Sequence, residues 1–445
     1  MSSLPNTDLK RTLSPLMVWG LGVGYVISGN YFGWNLGLEK GGTLGMAIAL
    51  FFIIILYITF TFSYTELACA IPKSGGAFDY ARRALGDDVG FITGMAQNIE
   101  FIFAPPAIAF AIGSYFNIFF PGASVITIAI IVYFIFFSIN VAGVKVAATF
   151  ELIVTVLAVA AVIFFSSLTF QHFDFDHLKQ NAFPLGWNGV FAAIPFAIWF
   201  FLGIEGVANL AEETINPKRT IMLGFGSAIF TLVILCLVTF TSSIGIAGWE
   251  AIVYKSDGAT SDSPLPLAMA HIVDSHSWQY QLIIIVGLFG LVASFHGLML
   301  AAGRSTFEFG RMNYAPAFLG KIHPRFQTPA NALFVNMLLG IVALLTGKTG
   351  EIITISVFGA LTLYIISMVT MLKLRKAEPE LHRPFRVPLY PVFPLVALVI
   401  ASVSFGAMAF FNGWLALIYF LALGLSYGVY KFWKKKQGIL PSVDN

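Results

Sequence analysis

Three ionisable side chains stand in stretches of sequence that are otherwise apolar: Glu205, Glu100 and His296. A carboxylate at bilayer depth costs at least ~2.5–3.5 kcal/mol, so it normally faces a cavity, a partner or a substrate. Glu205 lies in Pro195–Glu213, PFAIWFFLGIEGVANLAEE, between Gly203 and Gly206. Glycines there let the backbone leave helical geometry. That is tolerated at depth only where the freed amides and carbonyls line a cavity or are buried in protein. An acid at a helix break is the sequence mark of a transporter's binding site. The alternative is a glycine-mediated helix contact around a protonated structural glutamate. Trp199, six residues earlier, offers an aromatic face to an ammonium, worth ~0.5–2 kcal/mol, or is simply core.

Glu100 follows Gln97 by three residues, which puts both on one helix face. No basic residue in its run neutralises it, and it reads as a functional contact or as a proton-bearing structural acid. Pro105-Pro106 predicts a kink that frees nearby carbonyls. His296, in ASFHG, either carries protons near neutral pH or hydrogen-bonds across helices. Glu151 is read as structural, within reach of basic loop residues. Asp79, Arg82 and Arg83 are expected to form gating or anchoring ion pairs, and Arg304 and Arg311 to share one face of a helix end.

These residues need helices to hold them in a membrane. Of 445 residues, 58% are hydrophobic and 11% charged, against about 25% charge in a soluble domain. The chain is therefore an all-α integral membrane protein, and the lack of strand-like alternation excludes a β-barrel. Apolar runs of about 20 residues give twelve spans: 14–36, 44–70, 89–119, 123–141, 147–170, 188–213, 220–247, 280–309, 329–346, 350–374, 390–410 and 413–433. With a cytoplasmic N-terminus, all but four of the 25 lysines and arginines fall inside, the exceptions being Lys40, Lys179, Lys255 and Lys348. That asymmetry predicts a multi-pass protein with both termini cytoplasmic. The basic tail Lys431–Lys436 is explained by orientation and anionic lipid. The polar segment Gly248–Gln279 is too polar to span and predicts an outer cap with short helices. The first span, GLGVGYVISGNYFGWN, is as glycine-interrupted as the sixth, five helices away. Corresponding interruptions suggest an inverted repeat with a substrate between its halves.

Several chemistries are excluded. There is no GxxxxGKS/T loop for ATP, and no HExxH, CxxC pair or GxSxG elbow. Cys69 and Cys236 read as small core residues. No metal, cofactor or nucleic-acid partner is called for, and no enzyme activity.

Four blocks together resemble the amino acid–polyamine–organocation permease superfamily: ELACAIPKSGG at Glu66–Gly76, FLGIEGVANLAEETINPKR at Phe201–Arg219, Gly303–Pro316 with His323-Pro324-Arg325 and Thr328-Pro329, and RPFRVPLYP at Arg383–Pro391. The resemblance implies a LeuT-type 5+5 inverted repeat with broken first and sixth helices. It divides the chain into a cytoplasmic segment 1–13, a ten-helix core 14–374, two added helices 375–434 and a tail 435–445. The stretches ISGNYFGWN at Ile27–Asn35 and IEFIFAPPAIA at Ile99–Ala109 are similar to ethanolamine permeases. Proton-coupled relatives often carry a lysine in the fifth span. The position aligned to it here is Ala158, so Glu205 or His296 would have to titrate instead.

The expectation is a secondary transporter of the plasma membrane, importing ethanolamine or a related small amino alcohol by alternating access. An amino-acid permease of the same superfamily is the alternative. A receptor or channel binding the same amine is the reading from another class. The expected substrate site comprises Ile27, Ser28, Gly29, Asn30, Gln97, Glu100, Trp199, Phe200, Gly203 and Glu205. Glu100 or Glu205 balances an ammonium there, and Glu205 or His296 is the candidate for a coupling proton. The bilayer, a small amine and a coupling proton or ion are the expected partners.

Overall fold

The computed structural model describes residues 11–142 and 144–436, without side chains for 144–148 and 436. The outer parts of the expected terminal segments, 1–10 and 437–445, lie outside the described residues. The described chain is all-helical apart from isolated bridges: α1 (Pro15–Val26), α2 (Ser28–Tyr31), α3 (Asn35–Ala70), α4 (Ala77–Leu85), α5 (Asp87–Phe119), α6 (Val125–Ala142), α7 (Val144–Thr169), α8 (Phe175–Lys179), α9 (Gly186–Trp199), a 3₁₀ segment (Ile204–Glu213), α10 (Pro217–Ala247), α11 (Glu250–Val253), α12 (Pro264–Met269), α13 (Trp278–Arg311), α14 (Ala330–Leu344), α15 (Thr349–Ala377), α16 (Val392–Phe411) and α17 (Gly413–Lys436). Among the described residues ten helical stretches are long and apolar enough to cross a membrane, and Pro15–Val26 and Ala330–Leu344 are shorter apolar helices.

Each of the twelve apolar runs lies on a helix, but the first two are divided differently from the sequence expectation. The 14–36 run stops at Ile27, makes one more turn over Ser28–Tyr31 and turns at Gly33, whose φ is 87°. Asn35 then opens α3, which bends at Gly42 with φ 63° before the long apolar part. Only glycine reaches such φ values cheaply. The kink expected at Pro105-Pro106 does not break α5, which runs continuously through both. A proline removes a donor without ending a helix when neighbouring helices pack around it. Pro105 and Pro106 are both buried.

Helices α1, α3, α5, α9, α13 and α15 supply most of the buried interior. The most exposed large apolar side chains, such as Phe410, Trp414 and Leu425, sit on α16 and α17. This inversion is expected where the surroundings are hydrocarbon.

Ion pairs concentrate at the end of the bundle that carries residues 11–14. Glu66 accepts from Arg375 Nε and Nη2, both at 2.7 Å, and from the Val387 amide at 2.7 Å, with Arg383 Nε at 3.2 Å. Two of the blocks that carry the resemblance, ELACAIPKSGG and RPFRVPLYP, are thus tied by one buried carboxylate. Arg82 pairs with Asp87 at 3.0 Å and Arg83 with Glu378, so neither holds Asp79 as a salt bridge. Burial pushes the Asp79 carboxyl above its ordinary range. In the basic tail, Lys431 and Lys434 reach Asp88 and Asp87 at 2.6 and 3.0 Å, a specific use that lipid attraction alone does not give. The other end is capped by the 248–279 segment with α11 and α12. Asn35 Nδ2 donates to the Ser261 carbonyl at 2.8 Å, and Trp249 Nε1 to the Asn181 carbonyl at 3.1 Å.

Candidate functional site

The two interrupted helices meet. A Cβ on Gly29 would stand 2.5 Å from the Trp199 carbonyl oxygen and 2.8 Å from Phe200 Cα. The break after α1 is therefore laid directly on the end of α9. Only a residue without a side chain permits that approach. Beyond Trp199 the chain turns through Gly203 at φ 95° and continues as 3₁₀ helix. The left-handed Gly203 is where this segment leaves α-helical geometry.

Ile27 is buried at the end of α1. The Ser28 amide donates to Ser294 Oγ at 2.9 Å, and Ser294 donates in turn to the Gly24 carbonyl at 2.6 Å, so α13 braces the break. Asn30 Oδ1 accepts from Thr239 at 3.3 Å, while its Nδ2 has no partner among the described residues. Trp199 meets Phe32 edge-on at 5.4 Å with its Nε1 unpartnered, and Phe200 stacks on Trp34 at 5.4 Å. Gln97 is engaged elsewhere: its Nε2 donates to Ser305 Oγ at 3.0 Å, one helix turn from Glu100.

Glu100 and Glu205 do come together. Each carboxyl lies within reach of the other, and Glu100 also faces the Gly203 backbone. Both side chains are buried, and beyond this mutual contact and the Gly203 backbone, Glu100 Oε1, Glu100 Oε2 and Glu205 Oε1 meet no donor among the described residues. The fourth, Glu205 Oε2, accepts from Tyr364 at 2.9 Å. Tyr364 spends its proton there, so Tyr57, 2.9 Å away, donates to it. This Tyr57–Tyr364–Glu205 chain was not legible in the sequence. Tyrosines in apolar runs read as core until a partner helix is placed beside them.

Among the described residues Glu151 meets no basic loop residue; its Oε2 lies 2.9 Å from His296 Nδ1, the cross-helix hydrogen bond that was one of the two readings of His296, and both are buried. The reason is helix packing, which sets α7 against α13 so that the two side chains face each other in the interior. The Ala158 carbonyl, at the position aligned to a lysine in proton-coupled relatives, accepts from Tyr31 at 2.7 Å.

A cavity of about 520 Å³ opens at the end of the bundle bearing residues 11–14, with Leu21, Leu210 and Leu300 among its lining and the Arg304–Glu213 pair, at 2.8 Å, beside them. None of the expected substrate residues lines it. They are closed off because Gly29 lets the two breaks pack together. Among the described residues no cluster of His, Cys, Asp or Glu could hold a metal ion.

Comparisons with known proteins point one way. A family model described as amino acid permease matches residues 13–427. An uncharacterised transporter of Rhizobium meliloti (strain 1021) is 27% identical, with 92% of this chain and 89% of that protein covered. The branched-chain amino acid permease BcaP of Bacillus subtilis (strain 168) is 25% identical over 97% of this chain and 95% of its own. The glutamate/serine transporter AimA of the same organism is 24% identical over 89% and 77%.

Proposed function

The chain belongs to the amino acid permease family, and from that premise we propose that it is a secondary active transporter moving an amino acid across the membrane by alternating access. Its similar proteins are transporters and not enzymes. The observation that carries the proposal is the contact between the two interrupted segments around buried, unsatisfied polar groups. Among the described residues, donors without partners flank the breaks at Asn30 Nδ2, Trp34 Nε1 and Trp199 Nε1, and the acids Glu100 and Glu205 meet only each other, the Gly203 backbone and Tyr364. Leaving a buried donor or acceptor unmade costs about 1–3 kcal/mol. A zwitterion brings both complements at once: a carboxylate for the donors and an ammonium for the acids.

In this reading Ser28, Gly29 and Asn30 hold the carboxylate, and Glu100 or Glu205 balances the ammonium under Trp199. The LeuT-type repeat, the two added helices at 375–434, the plasma-membrane location and the cytoplasmic termini belong to the same proposal. The about 520 Å³ cavity is then the cytoplasmic vestibule of an occluded state. Ethanolamine is the second reading. Two neighbouring acids suit a bare ammonium, but BcaP and AimA carry amino-acid names and the Rhizobium protein is uncharacterised, so the similarities lend it no support.

The test is counterflow in proteoliposomes loaded with one unlabelled amino acid at a time, branched-chain, glutamate, serine or alanine, and with ethanolamine. Exchange of one amino acid class above protein-free vesicles is expected. Exchange of ethanolamine alone would transfer the site to the amino-alcohol reading, and no exchange at all would end the transport assignment for this site.

A further inference from the structure

A second buried acid stands apart from the substrate pair. We propose that Glu151 and His296 form the proton-binding site that couples a pH gradient to transport, a proposal that rests on the transport reading above.

Position is the first argument. The pair grips α1 just before its break. Glu151 Oε1 lies where a Cβ on Gly24 would come within 2.5 Å of it, and Thr155 Oγ1 would be 2.6 Å from the same point. Thr155 also donates to the Gly20 carbonyl at 3.1 Å. From the opposite side α13 brings Ser294 to the Gly24 carbonyl and Gly297 against the Tyr25 ring. The first half-helix is held between α7 and α13, and the Glu151–His296 bond ties those two helices together across it.

Chemistry is the second. An imidazole against a carboxylate holds one proton or two, and each occupancy changes the charge of the dyad while the rest of the clamp stays neutral. Glu151 Oε1, His296 Nε2 and the Tyr25 hydroxyl are all buried without partners among the described residues. An arriving proton thus has two unbonded basic atoms to choose from. Among the described residues no competing charge stands at contact: Phe136 and Phe150 cover the ring, and Tyr25 is the titratable neighbour from α1. Arg304 and Glu213 act on Tyr25 but are paired with each other.

Access is the third. The about 520 Å³ cavity is lined by Thr149, two residues before Glu151, and by Leu300, one turn beyond His296. A proton released from the dyad has a short route to that end. In the cycle the proton binds from one side, tightens the α7–α13 clamp on α1 and leaves through this cavity with the substrate.

The experiment uses full-length protein in proteoliposomes with an imposed pH gradient and the amino acid found by counterflow. For one proton per substrate, wild-type protein concentrates it about tenfold per pH unit. His296→Gln and Glu151→Gln are expected to lose that accumulation while counterflow stays within about twofold, since exchange needs no net proton movement. Wild-type counterflow without gradient-driven accumulation, or variants that accumulate like wild type, would overturn the proposal and leave the transport reading standing. A second measurement needs neither a substrate nor a stable variant. His296 is the one buried histidine of seven, so its ¹⁵N signals in nanodiscs are those shielded from a paramagnetic quencher. They should report a protonation change between about pH 5 and pH 9. A single protonation state across that range would sink the idea, even if no substrate had been found.

Discussion

Two buried acid pairs lie within one bundle and differ in kind. Glu100 and Glu205 join acid to acid, with a tyrosine chain on one oxygen and no base. Glu151 and His296 join acid to base and touch neither the tyrosine chain nor the α9 break. Like charges at contact disfavour joint ionisation, so the first pair is poised to welcome a cation. The second already contains its counter-charge and is suited to change occupancy without any ligand. In the proposed reading one arrangement recognises and the other switches. Each sits beside bare backbone of a broken segment, Gly203 in one case and Gly24 in the other, where a small change at a side chain reaches a hinge.

The largest effect expected is at the recognising pair. Glu205→Gln keeps the shape and removes the charge, and substrate binding should weaken about 100-fold, in line with ~1.5–3 kcal/mol for a hydrogen bond to a charged group. Scintillation-proximity binding measures it, and the same substitution at Glu151 should leave binding within about threefold. Equal losses at both acids would dissolve the distinction.

Next come the glycines that seat the two sites. A Cβ on Gly29 meets backbone, the Trp199 carbonyl, at 2.5 Å, whereas on Gly24 it meets the ends of side chains, Glu151 Oε1 and Thr155 Oγ1. Gly29→Ala should lower stability by about 1–3 kcal/mol and stop transport, because backbone cannot turn aside. Gly24→Ala should cost less stability and weaken proton coupling before it weakens exchange. Thermal unfolding in detergent, with counterflow alongside, separates the two.

Tyr364→Phe deletes the hydroxyl that donates to Glu205 at 2.9 Å. A loss of about 1 kcal/mol, roughly fivefold in affinity, is expected, with no change in proton-driven accumulation ratio. A changed ratio would mean that the two pairs communicate through the tyrosine chain.

A further effect, on stability and not on transport, lies outside both pairs, in the segment that caps the far end. Asp262, opposite Thr349 Oγ1 at 3.5 Å, is pushed up to about 6, chiefly by burial, with Lys255 pulling the other way. The folded protein therefore holds this proton more tightly than the unfolded chain. Stability falls as pH rises from about 4 to 6, and the penalty persists above that range. Asp262→Asn should raise stability at pH 8 by roughly 1–2 kcal/mol, the partial exposure of the residue trimming the full value, and change little near pH 4. Melting curves at the two pH values decide it.

Much of the fold was readable because membrane helices announce themselves. Each needs about 20 apolar residues to cross hydrocarbon and cannot leave its backbone unbonded there, so the runs and their polar punctuation mark the helices directly. The glycine clusters at Gly20–Gly33 and Gly203–Gly206 marked both interruptions for the same reason. Gln97 illustrates the limit. Its spacing from Glu100 was read correctly as one helix face, yet Ser305 of α13 occupies its amide. Periodicity says which side of a helix a residue is on, and not which neighbour that side meets. Pro105-Pro106 did not interrupt α5, which runs through both.

The sequence by itself determined that this chain lives in a membrane, how many apolar runs it has, where the backbone must leave the helix and that acids stand at depth. Those properties are local, set by composition and by the conformational freedom of glycine. Tertiary structure alone decided the partnerships: Glu205 with Glu100 and Tyr364, Glu151 with His296, Glu66 with Arg375, Arg383 and Val387. The partners are 105, 159, 145 and more than 300 residues apart. No local pattern records which distant helix arrives beside which, because that choice is made by the packing of whole helix faces and by the glycines that let two backbones touch.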